Sequence, residues 1–113
     1  AKPATKETFV DASGYDATVL LCLAAIHGKS TKSSSLITSL RAVSGSKGGA
    51  NIPWTNLKAA VKAAAAGKNF TYQGAWTTAK FDAAGDTSGA LFRVYSIGAD
   101  GKLSSNDADD VRF

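Results

Sequence analysis

Residues 68–97, KNFTYQGAWTTAKFDAAGDTSGALFRVYSI, mark where the chain changes character. Before Gly67 the apolar residues recur at helical spacing. After it, aromatic and β-branched residues take over, which favours extended backbone, interrupted at Gly74. In 90–98, Leu91, Arg93, Tyr95 and Ile97 alternate with Phe92, Val94 and Ser96, the pattern of one continuous strand. Between these pieces lie Asp82 and Asp86, with Gly85 and Gly89 beside them. The spacing lacks the alternating acids and distant bidentate Glu of a calcium loop. It predicts a tight turn instead, with Asp82 bonded to its own backbone and Gly85 or Asp86 left-handed.

Working outward, the upstream half reads as three helices. GYDATVLLCLAAIHG, residues 14–28, has Gly14 before it and Gly28 after it. Its run of apolar residues predicts a helix buried on most faces. Gly28 suits a left-handed terminus, and His27 suits the negative end of the helix dipole. STKSSS follows as a linker with several potential caps. A second helix begins at Ser34 or Ser35 and carries Leu36, Ile37, Leu40 and Val43, with Gly45 after it. GSKGGANIP reads as a glycine-rich loop. A third helix starts near Thr55 and stops at Gly67, with Leu57, Ala60, Val61 and Ala64 as its apolar stripe and Lys58 and Lys62 opposite. Asp100 and Gly101 form an Asp-Gly turn. Residues 1–8 and 104–113 read as loosely ordered arms of one unit spanning 1–113. The fold class is α/β: about three helices followed by a short C-terminal β-hairpin or strand pair.

The 113 residues suffice for one ordinary core. Charged residues make up 19%, below the usual quarter, which argues against wholesale disorder. The net charge of +4 is spread over scattered Lys and Arg. No basic cluster forms a nucleic-acid footprint, so no nucleic-acid partner is expected. The longest apolar run, residues 17–26, is too short to span a bilayer and follows a polar, acidic lead rather than a basic one.

With a single Cys, Cys22, there is no internal disulfide, and its apolar neighbours make it a buried, inert thiol. One Cys and one His cannot build a zinc site of the usual kinds within one copy, and no metal or other cofactor is expected. His27 has no sequence pattern tying it to a nucleophile. Spacing alone leaves carboxylate-pair catalysis open, but Asp11, Asp16, Asp82, Asp86 and the tail acids sit in turn, cap and terminus contexts. GSKGGAN lacks the Gly-Lys-Ser/Thr close of a phosphate loop. Phe70, Tyr72, Trp76, Phe81, Phe92 and Tyr95 lack systematic basic neighbours, so they read as core rather than a base-stacking platform. The residues themselves show no catalytic site, and no enzyme activity is expected.

Three stretches in order resemble one family. GYDATVLLCLAA resembles the Tyr-Asp-Ala helix near the end of type I periplasmic solute-binding proteins of branched-chain amino acid ABC transporters. The next two helices and residues 66–75, AGKNFTYQGA, resemble the family's stretch ending in Tyr-x-Gly-Ala. KFDAAGDTSGALFRVYSIGADGKL resembles its closing Phe-Asp-x-x-Gly-Asp segment and final strand. The likeness runs from about Phe9 to Leu103, with one departure at Trp76-Thr77-Thr78, where many members carry Gly-Pro.

The resemblance implies a partial periplasmic-binding-protein-like fold of type I, the C-terminal segment of a two-lobed protein that holds an amino-acid-like solute in its cleft. It implies delivery to an ABC permease, and a periplasmic or other extracytoplasmic location (lipid-anchored in Gram-positive type cells). It implies that the Asp-x-x-Gly-Asp stretch is a turn. It also places a solute-contacting aromatic just before the Tyr-Asp-Ala helix, which matches Val10 or, with a shift of one, Phe9. Most binding groups of the family lie in segments this sequence does not contain. As an isolated piece the chain is expected to self-associate. The alternative is a free-standing structural or interaction domain without catalytic activity.

Overall fold

A computed structural model describes residues 9–87 and 91–112; residues 1–8, the expected N-terminal arm, lie outside the described residues. The chain is mixed α/β. Helices α1 (Phe9–Gly28) and α2 (Ser33–Val43) pack against each other and precede strand β1 (Ala50–Pro53). A 3₁₀ turn at Trp54–Asn56 leads into α3 (Leu57–Ala65), which returns the chain to β2 (Phe70–Gln73). β1 and β2 pair in parallel, with Ala50 opposite Phe70 and Pro53 opposite Gln73. Parallel pairing requires such a crossover, so β1, α3 and β2 form a small βαβ unit.

The core lies between this unit and the first two helices. Val19, Leu20, Leu23 and Ala24 of α1 meet Val43 of α2, Ile52 of β1, Ala60 and Ala64 of α3, and Phe70 and Tyr72 of β2. Alternation in β2 buries Phe70 and Tyr72 and leaves Thr71 and Gln73 half-buried. The Asn56 side chain caps α3 by accepting the Ala59 N–H. Gly67 has φ +67°, and the Lys68 N–H reaches back to the Ala63 carbonyl, as a helix-ending turn requires.

Several sequence expectations are corrected. α1 begins at Phe9, so Gly14 lies inside it, and adding residues to an existing helix costs little once it is nucleated. Its apolar surface is covered on one side only: Leu21 is 49% exposed and Cys22 is exposed rather than buried. Ile37 of α2 and Val61 of α3 also face outward. The left-handed residue after α1 is Lys29, φ 49°, not Gly28. Gly28 instead lets α1 approach α2, because a Cβ there would press on the Ser35 and Ser39 hydroxyls. The loop read from GSKGGANIP ends in strand β1. A Cβ on Gly49, φ +112°, would collide with the Asn69 backbone, so glycine is what admits the parallel neighbour.

The continuous strand expected over 90–98 is split. β3 (Leu91–Phe92) pairs antiparallel with β6 (Val111–Arg112), whereas β4 (Tyr95–Ile97) pairs antiparallel with β5 (Leu103–Ser105). At the break, the Arg93 guanidinium lies 3.1 Å from the Asp110 carboxylate. The Asp-Gly turn joins β4 to β5, closed by Gly98 N–H to the Lys102 carbonyl at 2.9 Å. Residues 104–112 of the expected C-terminal arm carry the end of β5, a 3₁₀ turn (Asp107–Asp109) and β6.

Candidate functional site

Asp16 sits in the second turn of α1 and is 5% exposed. Its carboxylate points at the chain leaving β2. Oδ1 accepts the Ala75 N–H at 2.8 Å and the Tyr72 hydroxyl at 3.3 Å, and Oδ2 accepts the Trp76 N–H at 2.8 Å. A buried carboxylate is tolerable when donors surround it in this way. Gly74 is the counterpart: a Cβ there would strike Asp16 Oδ2 and the Thr77 carbonyl. Burial, then the charges of Asp16 and Tyr15 and the hydrogen bond to Asp16, push the Tyr72 phenol well above its ordinary range.

Around this carboxylate the surface is aromatic. Tyr15 stands edge-on to Trp54 with ring centroids 6.3 Å apart, and both are partly exposed. Trp76, held through its backbone by Asp16, is 42% exposed. The arrangement offers flat apolar faces beside a carboxylate already committed to three donors. It therefore suits contact with an apolar or planar group better than proton transfer.

The two proposed solute contacts, Phe9 and Val10, form the first turn of α1, more than a turn before Tyr15. Their side chains lie outside the described residues. Sequence reasoning missed Asp16, placing it among unremarkable acids. The signal was available in principle: a lone carboxylate in an otherwise apolar helix needs an internal partner. Trp54 was missed because it fell at the edge of a segment read as loop.

The 82–86 turn matches its sequence reading. Asp82 Oδ1 accepts the N–H groups of Ala84, Gly85 and Asp86 at 2.8–2.9 Å, and the Asp82 N–H donates to the Asp86 carbonyl at 2.8 Å. Gly85 has φ +97°. The bond from Asp86, followed by those from Ala84 and Gly85 and the charge of Arg41, outweighs desolvation and holds the Asp82 carboxyl below its usual range. Phe81 and Thr87 bridge across the base. Arg41 donates to the Ala83 carbonyl and Ser46 to the Phe81 carbonyl, which fastens the turn to the α2 end of the body.

His27 Nδ1 is 3.4 Å from Ser39 Oγ, and Nε2 is enclosed without a hydrogen-bond partner. Ser39 is buried, so this contact joins α1 to α2 rather than presenting a nucleophile. Among the described residues no three His, Cys, Asp or Glu side chains gather as a metal site, and no helix is long and apolar enough to cross a membrane. Comparison with family models, curated proteins and solved structures produced no match to this chain.

Proposed function

We propose that the chain is the C-terminal part of an extracytoplasmic solute-binding protein, which captures an amino-acid-like solute between two lobes and passes it to an ABC permease. The observation that carries this reading is Asp16. It belongs to the Tyr-Asp-Ala stretch, and two of its donors, Tyr72 and Ala75, belong to the Tyr-x-Gly-Ala stretch 56 and 59 residues later, the third being the next residue, Trp76, where the likeness departs. Two pieces of sequence that resemble the family separately thus hold each other, and Gly74 is needed at their meeting point. Such mutual dependence gives a physical reason for the motifs to occur together and in order.

A second reading, a free-standing structural or interaction domain, draws support from the core. Among the described residues, helices α1 to α3 and the β1–β2 pair share one cluster of buried apolar side chains. The two readings differ in the role they expect of Phe9 and Val10. In the protein made from the complete reading frame, Phe9→Ala or Val10→Ala should weaken solute binding about tenfold or more at one of the two positions. Unchanged affinity in both variants would remove these residues from the solute site.

A further inference from the structure

One end of the parallel strand pair gathers aromatic side chains. β1 ends at Pro53 and runs straight into Trp54, and β2 ends at Gln73 and leads through Gly74 and Ala75 to Trp76. Both segments leave the carboxyl ends of parallel strands, the side on which open α/β sheets take up ligands. The second turn of α1 sets Tyr15 against Trp54 there. The two ring planes stand at 81° with centroids 6.3 Å apart, so two π surfaces meet in a corner, and both rings are partly exposed. Among the described residues, no Lys or Arg side chain lies on either ring.

Shape and charge indicate what the corner takes. A flat apolar molecule stacks on one wall, whereas a rounded group meets both. Every donor on the neighbouring Asp16 is neutral, and no Lys or Arg is paired with it among the described residues. Its carboxylate therefore leaves a negative charge behind the aromatic surface. Asp16 and Tyr15 both act on the Tyr72 hydroxyl, which makes the corner and the carboxylate neighbours. The negative faces of the rings add to that field, which favours a cation and repels an anion. A methylated ammonium is rounded, and it sheds water more readily than a compact, strongly hydrated amine of the lysine type.

We propose that the Tyr15–Trp54 corner binds a quaternary ammonium group, with the Asp16 carboxylate behind it. Two walls without a lid give an affinity on the order of millimolar. The site uses residues of the 113-residue chain alone and does not depend on the solute-binding reading.

Both tryptophans of the chain lie at this surface, so intrinsic fluorescence reads it. Choline, titrated into the 113-residue chain at constant ionic strength, should give a saturable change in the millimolar range. Its neutral isostere, with carbon in place of the nitrogen, should bind about tenfold more weakly. Tyr15→Phe keeps the ring and should retain affinity within about twofold. Tyr15→Ala and Trp54→Ala should each weaken choline about tenfold or more, with Trp76 still reporting. Their thermal melts should persist, because neither residue belongs to the core cluster. No saturable change with choline, equal affinity for the neutral isostere, or binding indifferent to both alanine changes would overturn the proposal. The choline comparison on the unaltered chain decides the matter even where a variant fails to fold.

Discussion

A single carboxylate links distant parts of the sequence. Asp16 accepts one buried phenol and two part-buried backbone N–H groups. Asp16→Ala takes the acceptor from the buried Tyr72 hydroxyl and the part-buried Ala75 N–H, and should cost about 3 kcal/mol in urea unfolding. Tyr72→Phe removes one neutral donor from the same carboxylate and should cost about 1 kcal/mol. The raised Tyr72 ionisation has a direction of its own. A phenol raised in the folded state adds stability that is complete below its ordinary value of 10.0 and is lost progressively as pH rises above it. Alkaline melting curves should therefore fall more steeply in the wild type than in Tyr72→Phe. Asp82 behaves in the opposite sense. Its lowered carboxyl adds stability above the ordinary value of 3.8, and that contribution disappears as pH falls below it. Acid melts of Asp82→Asn should show a weaker dependence over that range. Because three backbone donors already occupy Asp82 Oδ1, millimolar calcium should leave the melting temperature unchanged; a rise of several degrees lost in Asp82→Ala would contradict the turn reading.

At the scale of elements, two backbone positions separate what was legible from what was not. The helices were visible because apolar spacing and glycine punctuation are local signals. Strand β1 was not, because its strandedness comes from β2, twenty residues later, and from Gly49 admitting the Asn69 backbone. Gly49→Ala should therefore destabilise by about 2 kcal/mol or more, both by collision and by its φ of +112°. The end of α1 was misread because Gly28 looked like a terminal glycine, whereas its use is contact with α2. The left-handed position falls on Lys29, so Lys29→Gly should stabilise the chain by about 0.5–1 kcal/mol. Chemical denaturation of both variants checks the pair of signs. The split of the expected strand at Arg93 and Val94 was equally invisible, since alternation continues through it while the hydrogen-bonding partner changes from β6 to β5. Alternation reports which way side chains face, not which strand lies alongside. The candidate site was legible only in part. Phe9 and Val10 came from resemblance alone, while Asp16 and the Tyr15–Trp54 pair needed the fold to bring them together.

As a whole molecule, the chain divides its resources unevenly. The helical body and the β1–β2 pair hold the buried core, and the C-terminal hairpin remains open to solvent on both faces. In the solute-binding reading, a cleft site needs polar groups from two walls to fix both ends of a small zwitterion. The aromatic surface at Tyr15, Trp54 and Trp76, with the first turn of α1, supplies one wall at most. Affinity should then belong to the complete protein and be missing from the 113-residue chain. Calorimetric titration of both with a panel of amino acids and their amides measures this directly. Saturable micromolar binding by the protein made from the complete reading frame, with no binding by the 113-residue chain, is the expected result. Failure of the complete protein to bind any member of the panel, or equal binding by the 113-residue chain alone, would contradict it.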